Sequence, residues 1–175
     1  EGDVPPGLRL EADGSFLFTP SRDAVGEIVF RYAASDPFGL RSETREARIV
    51  VTPTNDAPVP VDDAGVVRAG ASVEGQALFN DSDVEGSALR VSSVRDDPAA
   101  VGRRIAGGFG EFVVEASGAW TYVAKAATAV ASGETVVDAL RYAVADDEGA
   151  EGSARIAVVV EGVNDAPTAA DDAYG

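Results

Sequence analysis

Three carboxylates stand at alternate positions, Asp81, Asp83 and Glu85, within the run Asn-Asp-Ser-Asp-Val-Glu-Gly at 80–86. Asp146, Asp147 and Glu148 form a second acidic group, and Asn55-Asp56 and Asn164-Asp165 each precede an Ala-Pro. Asp62-Asp63 and Asp171-Asp172 follow shortly after. Like charges held this close repel unless a counterion sits among them. Ca²⁺ accepts six to eight oxygens at about 2.3–2.6 Å in loose geometry, which suits ligands gathered from several loops. Mg²⁺ demands a stricter octahedron and ranks second. The chain holds no His, Cys or Met, which excludes disulfides, thiol chemistry, imidazole catalysis and ordinary zinc or copper sites. No nucleophile–base pair or nucleotide loop accompanies the acids, so the chain is not expected to be an enzyme.

Two metal motifs fail on inspection. Asp81-x-Asp83-x-Glu85-Gly86 opens like an EF-hand loop, but Ser92 stands where the bidentate Glu belongs. Gly107-Gly108-Phe109-Gly110-Glu111 is similar to the start of a calcium-binding nonapeptide, but it occurs once. A stacked β-roll needs several copies, so this run reads as a glycine-rich turn.

The net charge is −16, from 14 basic and 30 acidic residues among 175. It argues against nucleic acid or an anionic membrane as partner. Hydrophobic residues make up 45% of the chain, enough for an ordinary core. No apolar run reaches the length of a membrane span, and residues 1–20 do not show the pattern of a signal peptide, as expected also of a piece of a larger exported protein.

These residues must be positioned by a repeated unit. Glu-Ala-Asp-Gly-Ser-Phe-Leu-Phe at 11–18 recurs as Glu-Ala-Ser-Gly-Ala-Trp-Thr-Tyr at 115–122. Phe-Arg-Tyr-Ala-Ala-Ser-Asp at 30–36 recurs as Leu-Arg-Tyr-Ala-Val-Ala-Asp at 140–146, and Ala-Arg-Ile at 47–49 returns at 154–156. Asn-Asp-Ala-Pro at 55–58 returns at 164–167. The offset changes only between matched blocks, as it does when insertions fall in loops. The expected organisation is a C-terminal half-repeat at 1–57, a whole repeat at 58–166 and the start of another at 167–175. The half-repeat lacks a counterpart of roughly 58–104, which leaves a sheet face and edge to be covered by upstream strands or by another chain.

The matched blocks alternate with period two, so they are strands with one buried face. Leu8 and Leu10 correspond to Phe112 and Val114, Phe16 and Phe18 to Trp120 and Tyr122, and Phe30 and Tyr32 to Leu140 and Tyr142. Trp120 and the tyrosines read as core, or as tyrosine-corner hydroxyls, rather than as ligand-stacking groups. Asp13-Gly14 and Ser117-Gly118 read as hairpin turns. The whole repeat resolves into seven strands: A within 59–69, B 72–79, C 88–94, D 110–116, E 119–124, F 138–145 and G 153–161. The Ala-rich stretch 124–132 is a candidate helical turn. Seven short strands in about 100 residues make an all-β, immunoglobulin-like Greek-key sandwich, here in tandem. In that topology the B–C and F–G loops lie at the end where strand A enters. Asn55, Asp56, Asp81, Asp83, Glu85 and Asp146 are therefore expected to converge at the junction between the units.

In its order of motifs the sequence resembles the tandem cadherin-like or VCBS-type immunoglobulin-like repeats of giant secreted (RTX-type) bacterial surface adhesins. Those motifs are Asn-Asp-Ala-Pro, Val-Asp-Asp, Asn-Asp-Ser-Asp-Val-Glu-Gly, Glu-Ala-Asp-Gly-Ser-Phe-Leu-Phe-Thr-Pro and Phe-Arg-Tyr-Ala-Ala-Ser-Asp. The resemblance implies cadherin-like extender modules stiffened by Ca²⁺ at their junctions. It also implies export, commonly by type I secretion, to the bacterial surface for adhesion or biofilm formation. The candidate metal ligands, read from the acidic loops and linkers, are Asn55, Asp56, Asp81, Asp83, Glu85, Asp146, Asp147, Asn164 and Asp165, and the expected partners are neighbouring repeats. Glu85 stands where these repeats often have Asp, and Asp36-Pro37-Phe38-Gly39 replaces a loop usually richer in Gly and Asn. Two alternatives stay open. One is a calcium-dependent carbohydrate-binding module, which the core-facing places of the aromatics disfavour. The other is a fibre subunit whose half-repeat is completed by strand exchange.

Overall fold

The computed structural model describes residues 4–126 and 130–164 and divides the chain into two compact units, Glu1–Thr54 and Asn55–Gly175. Among the described residues, unit 1 has two two-stranded antiparallel sheets. β1 (Leu8–Leu10) pairs with β2 (Phe16–Phe18), Leu8 opposite Phe18 and Leu10 opposite Phe16. Asp13 closes the turn between them by accepting from the Ser15 amide and hydroxyl at 2.9 and 2.6 Å, and Gly14 follows at φ 88°. Only glycine takes that conformation without strain. β3 (Gly26–Tyr32) pairs with β4 (Arg45–Val51) along its whole length.

The alternation of these four strands does not translate into burial. Leu8 and Phe30 are buried, but Leu10, Phe16 and Tyr32 remain 45%, 54% and 44% exposed. Tyr32, expected in the core, lies on an open face because two short sheets cannot enclose their inward side chains.

Unit 2 is an immunoglobulin-like β-sandwich. One sheet has the order β5-β12-β11-β7, the other β6-β10-β9-β8. The strands are β5 (Asp63–Arg68), β6 (Ser72–Gln76), β7 (Arg90–Val94), β8 (Ile105–Ala106), β9 (Gly110–Val114), β10 (Ala119–Ala124), β11 (Thr135–Ala145) and β12 (Glu151–Glu161). All but β8 fall on the seven expected strands. The pairing is antiparallel except between β5 and β12, which run parallel from Asp63 opposite Ile156 to Arg68 opposite Glu161.

Inward residues of both sheets form one core, with Phe112, Tyr122, Leu140, Tyr142 and Ile156 at its centre. The rings of Phe112 and Tyr122 meet at 4.5 Å and 58°, a tilted contact that aromatic quadrupoles favour. Trp120 is 4% exposed and lies over Gly75, where any β-carbon would run into the indole. Burying each such aromatic contributes about 1.5–3 kcal/mol.

The register between β11 and β7 slips at Ala143/Val144, a bulge just before the strand delivers its terminal acid. A 3₁₀ turn at Pro98–Ala100, absent from the sequence expectation, is capped by Asp97 accepting from the Ala99 amide at 2.9 Å. Of the candidate helical turn at 124–132, residues 127–129 lie outside the described residues, and Ala124 ends β10.

Candidate functional site at the leading end of unit 2

The segment 55–62 reaches β5 across the end of the sandwich formed by the β6–β7 loop and the β11–β12 turn. It belongs to neither sheet. Instead Val59 bridges Ser82, amide to carbonyl in both directions at 2.7 and 3.3 Å. This stitches the incoming chain to the loop carrying Asp81, Asp83 and Glu85. Asp81 strengthens the stitch, its Oδ1 accepting from the Val61 amide at 2.8 Å.

Asp146 follows the last residue of β11 and is fully buried. Its Oδ1 accepts from the amides of Gly149 and Ala150 and closes the β11–β12 turn; its Oδ2 accepts from Asn55 Nδ2 at 2.7 Å. These donors, Asn55 foremost, hold its carboxyl below the ordinary value near 3.8. Next along the chain, the Asp56 amide donates to Glu85 Oε2 at 3.2 Å. Asp83 Oδ1 accepts from the amides of Glu85 and Ser87 at 3.1 and 3.0 Å, which fixes its own loop. One hydrogen-bonded series thus joins Asp146, Asn55, Asp56, Glu85 and Asp83, and all five residues belong to unit 2.

Three oxygens of this end are left over. Asn55 Oδ1, Asp81 Oδ2 and Asp83 Oδ2 are each buried and have no hydrogen-bond partner. A buried oxygen without a donor costs about 1–3 kcal/mol. Their chemistry, two carboxylates and an amide carbonyl, suits a hard cation. Among the described residues, however, no three acidic side chains are gathered so that they could hold a metal ion. Asp147 is exposed and outside the series, and Asn164 is exposed beyond the end of β12, at the opposite end of the sandwich. Asp165 lies outside the described residues.

Three further acids have structural roles that the sequence reading did not assign. Asp62 Oδ1 accepts from the Arg155 amide at 2.9 Å. Asp63 Oδ2 accepts from the Tyr142 hydroxyl at 2.8 Å. Burial raises the Asp63 carboxyl, with the Asp81 charge adding to the effect, and the Tyr142 phenol is pushed up by burial and by Asp63. Asp138 points inward from β11 and accepts from the amides of Gly108 and Phe109 and from the Tyr122 hydroxyl, at 3.1, 2.9 and 2.9 Å. Its signal was an acid on the inward face shared with Leu140, Tyr142 and Val144. Phe79 corrects a second expectation. β6 ends at Gln76, so Phe79 lies beyond the strand and is 89% exposed beside Asn80. Not all aromatics are core residues.

Residues 55–162, the span holding both the sandwich and this cluster, match the bacterial cadherin-like domain. The chain belongs to that family. The cadherin-like domain is also similar to several solved structures, all of low identity. The EC3–6 segment of protocadherin gammaB7 is 13% identical over 91% of this chain and 40% of that one, at a TM-score of 0.48. Immunoglobulin domains 1–5 of Sidekick-1 are 18% identical over 90% and 30%, at 0.33. A nucleoside hydrolase-related protein from Saccharophagus degradans is 18% identical over 62% and 26%, at 0.42. The chain therefore spans between a quarter and two fifths of the length of these structures. No curated protein matches it significantly. Among the described residues no helix is long and apolar enough to cross a membrane.

Proposed function

We propose that the cadherin-like domain is a calcium-stiffened spacer repeat of a large surface adhesin or fibre, of the secreted VCBS or RTX kind, outside the bacterial cell. The observation that carries this reading is the set of three buried oxygens without donors, Asn55 Oδ1, Asp81 Oδ2 and Asp83 Oδ2, where the chain enters the sandwich. Calcium at this end supplies the positive charge that these oxygens lack. The residues do the mechanical work. Asn55 and Asp56 fasten the incoming backbone to the β11–β12 turn and to the β6–β7 loop, while Asp81 and Asp83 hold that loop rigid through Val61, Glu85 and Ser87. Repeats fastened at their leading ends in this way serve as spacers that can support adhesion or biofilm formation. The role is non-catalytic, and the net charge of −16 sets it against nucleic acid.

Extracellular calcium modules bind at roughly 10⁻⁴–10⁻³ M. At about 1 mM calcium and a dissociation constant near 0.1 mM, one site stabilises the fold by about 1.4 kcal/mol. Calorimetric titration with CaCl₂ and scattering with and without EDTA test the reading. Calcium is expected to raise the melting temperature and lengthen the particle, and Asp83→Asn to weaken both effects. Melting and scattering curves that chelation leaves unchanged refute it. The exposed Phe79 beside Asn80 favours a second reading, a calcium-dependent carbohydrate module, for which glycan binding lost with EDTA and with Phe79→Ala is the expected result.

A further inference from the structure

We propose that the outer face of β5, β12 and β11 in unit 2 docks on the same face of a second copy of this chain, strand against antiparallel strand. Outward positions of a sheet that faces water are ordinarily polar or mixed, and the other sheet of unit 2 conforms. Its outward rows are Glu74, Thr121 and Val113, then Ser72, Val123 and Glu111. The register of β5, β12 and β11 gives a different composition. Val66, Val159 and Val137 lie side by side across the three strands, and Ala64, Ala157 and Ala139 form the next row. Val66 and Val137 are 58% and 62% exposed. A single exposed valine means nothing, but apolar rows joined across three strands mark an interaction surface.

What fits this face is the face itself. Val158 lies opposite Asp138 and Gly65. A twofold axis running across the strands at that level sets the valine row of each copy over the alanine row of the other. Large then meets small, as packing two sheets about 10 Å apart requires. The charges obey the same symmetry. Arg155 and Glu161 share the outward side of β12 at equal distances before and after Val158, so each meets its opposite across the interface. Asp62 and Arg68, equally spaced about Gly65, do likewise. Among the described residues Arg68, Arg155 and Glu161 have no ion-pair partner, and the second copy supplies one. Every contact is made twice, as in any isologous pair. No strand is exchanged and no cation enters, so the inference stands apart from the calcium reading. The patch spans about 20 Å along β12 and about 10 Å across the three strands. That is small for an interface, so one pair of faces binds weakly.

Sedimentation equilibrium of the full chain tests this, in EDTA and about 0.15 M salt, from about 10 μM to about 1 mM protein. The average mass is expected to climb from that of one chain toward that of two. Val137→Lys, at an exposed position, is expected to weaken association by about tenfold or more. Arg155→Glu and Glu161→Arg are each expected to weaken it as well, because like charges then face each other. The chain carrying both changes is expected to associate within about threefold of the parent. The two single changes move the net charge in opposite directions, so a general charge effect does not explain loss in both. Trp120 fluorescence during urea unfolding checks that each variant is folded. One unchanging mass at every concentration overturns the proposal. So does association that survives Val137→Lys, because another surface is then in use. Indifference to Arg155→Glu or Glu161→Arg, or a double exchange that restores nothing, also overturns it, because the strands then do not meet in this register.

Discussion

Asp138 is a buried acid that holds a glycine-rich turn against the sandwich, and its removal has a calculable cost. Asp138→Ala leaves three donors without an acceptor: the amides of Gly108 and Phe109 and the hydroxyl of Tyr122. Gly108 is exposed and regains water, but Phe109 is half-buried and Tyr122 is wholly buried. Hydrogen bonds to a charged acceptor contribute about 1.5–3 kcal/mol each, and an orphaned buried donor costs about 1–3 kcal/mol. Two such losses amount to about 3–5 kcal/mol, a large part of the 5–15 kcal/mol typical of a domain. For a unit of this size the melting temperature falls by roughly 10–20 °C. Tyr122→Phe removes one of the three bonds and is expected to cost about 1–2 kcal/mol. The double variant is expected to fall short of the sum by a similar amount, since both changes break one shared contact. Trp120 is the chain's one tryptophan and sits in this core, so its fluorescence during urea unfolding reports on unit 2 alone. A loss below about 0.5 kcal/mol for Asp138→Ala, or strict additivity with Tyr122→Phe, refutes the argument.

Other expectations follow from single features. Arg95 and Asp96 both sit at positive φ, 52° and 63°, in a two-residue hairpin turn that favours Asn-Gly. The Arg95→Asn, Asp96→Gly pair is expected to stabilise unit 2 by about 1 kcal/mol in urea titration. Gly75→Ala pushes a methyl into the Trp120 ring and is expected to destabilise by about 1–3 kcal/mol, with a shifted tryptophan emission as a second readout. In EDTA, native Asp63 binds its proton more readily than the unfolded chain does, because burial raises its carboxyl. Its contribution to stability therefore falls as pH rises from the ordinary value of 3.8 to the raised one. Asp146, held low chiefly by Asn55, works in the opposite sense and loses its contribution as pH drops below 3.8. Melting curves of the parent, Asp63→Asn and Asp146→Asn across this range check both signs.

Local pattern was enough to find the strands of unit 2, because alternation of Phe112 with Val114 or Leu140 with Tyr142 records which face is buried. The same alternation misled at Leu10, Phe16 and Tyr32, since pattern says which face seeks a core and not whether a core is there. Topology carried further than pattern at the acidic end. The loop placement that brings Asn55 toward the β11–β12 turn agrees with its hydrogen bond to Asp146, 91 residues away. It did not divide the acids by role. Asp63 and Asp81 both lie near the incoming segment, yet one serves a tyrosine hydroxyl and the other a backbone amide. Asp138 escaped notice because its donors come from Gly108 and Phe109, about thirty residues earlier, and a glycine-rich turn does not announce what it packs against.

The parallel pairing of β5 with β12 determines how unit 2 bears tension. β5 is the first strand of unit 2 and β12 its last, and the two point the same way. A pull on both ends drives them past each other along their length. The six paired positions from Asp63 opposite Ile156 to Arg68 opposite Glu161 are then loaded together and not unzipped one at a time. The bonds of such a ladder are evenly spaced, so they share the load. A protein strung from units of this kind would stretch little under flow until one of them sheared outright.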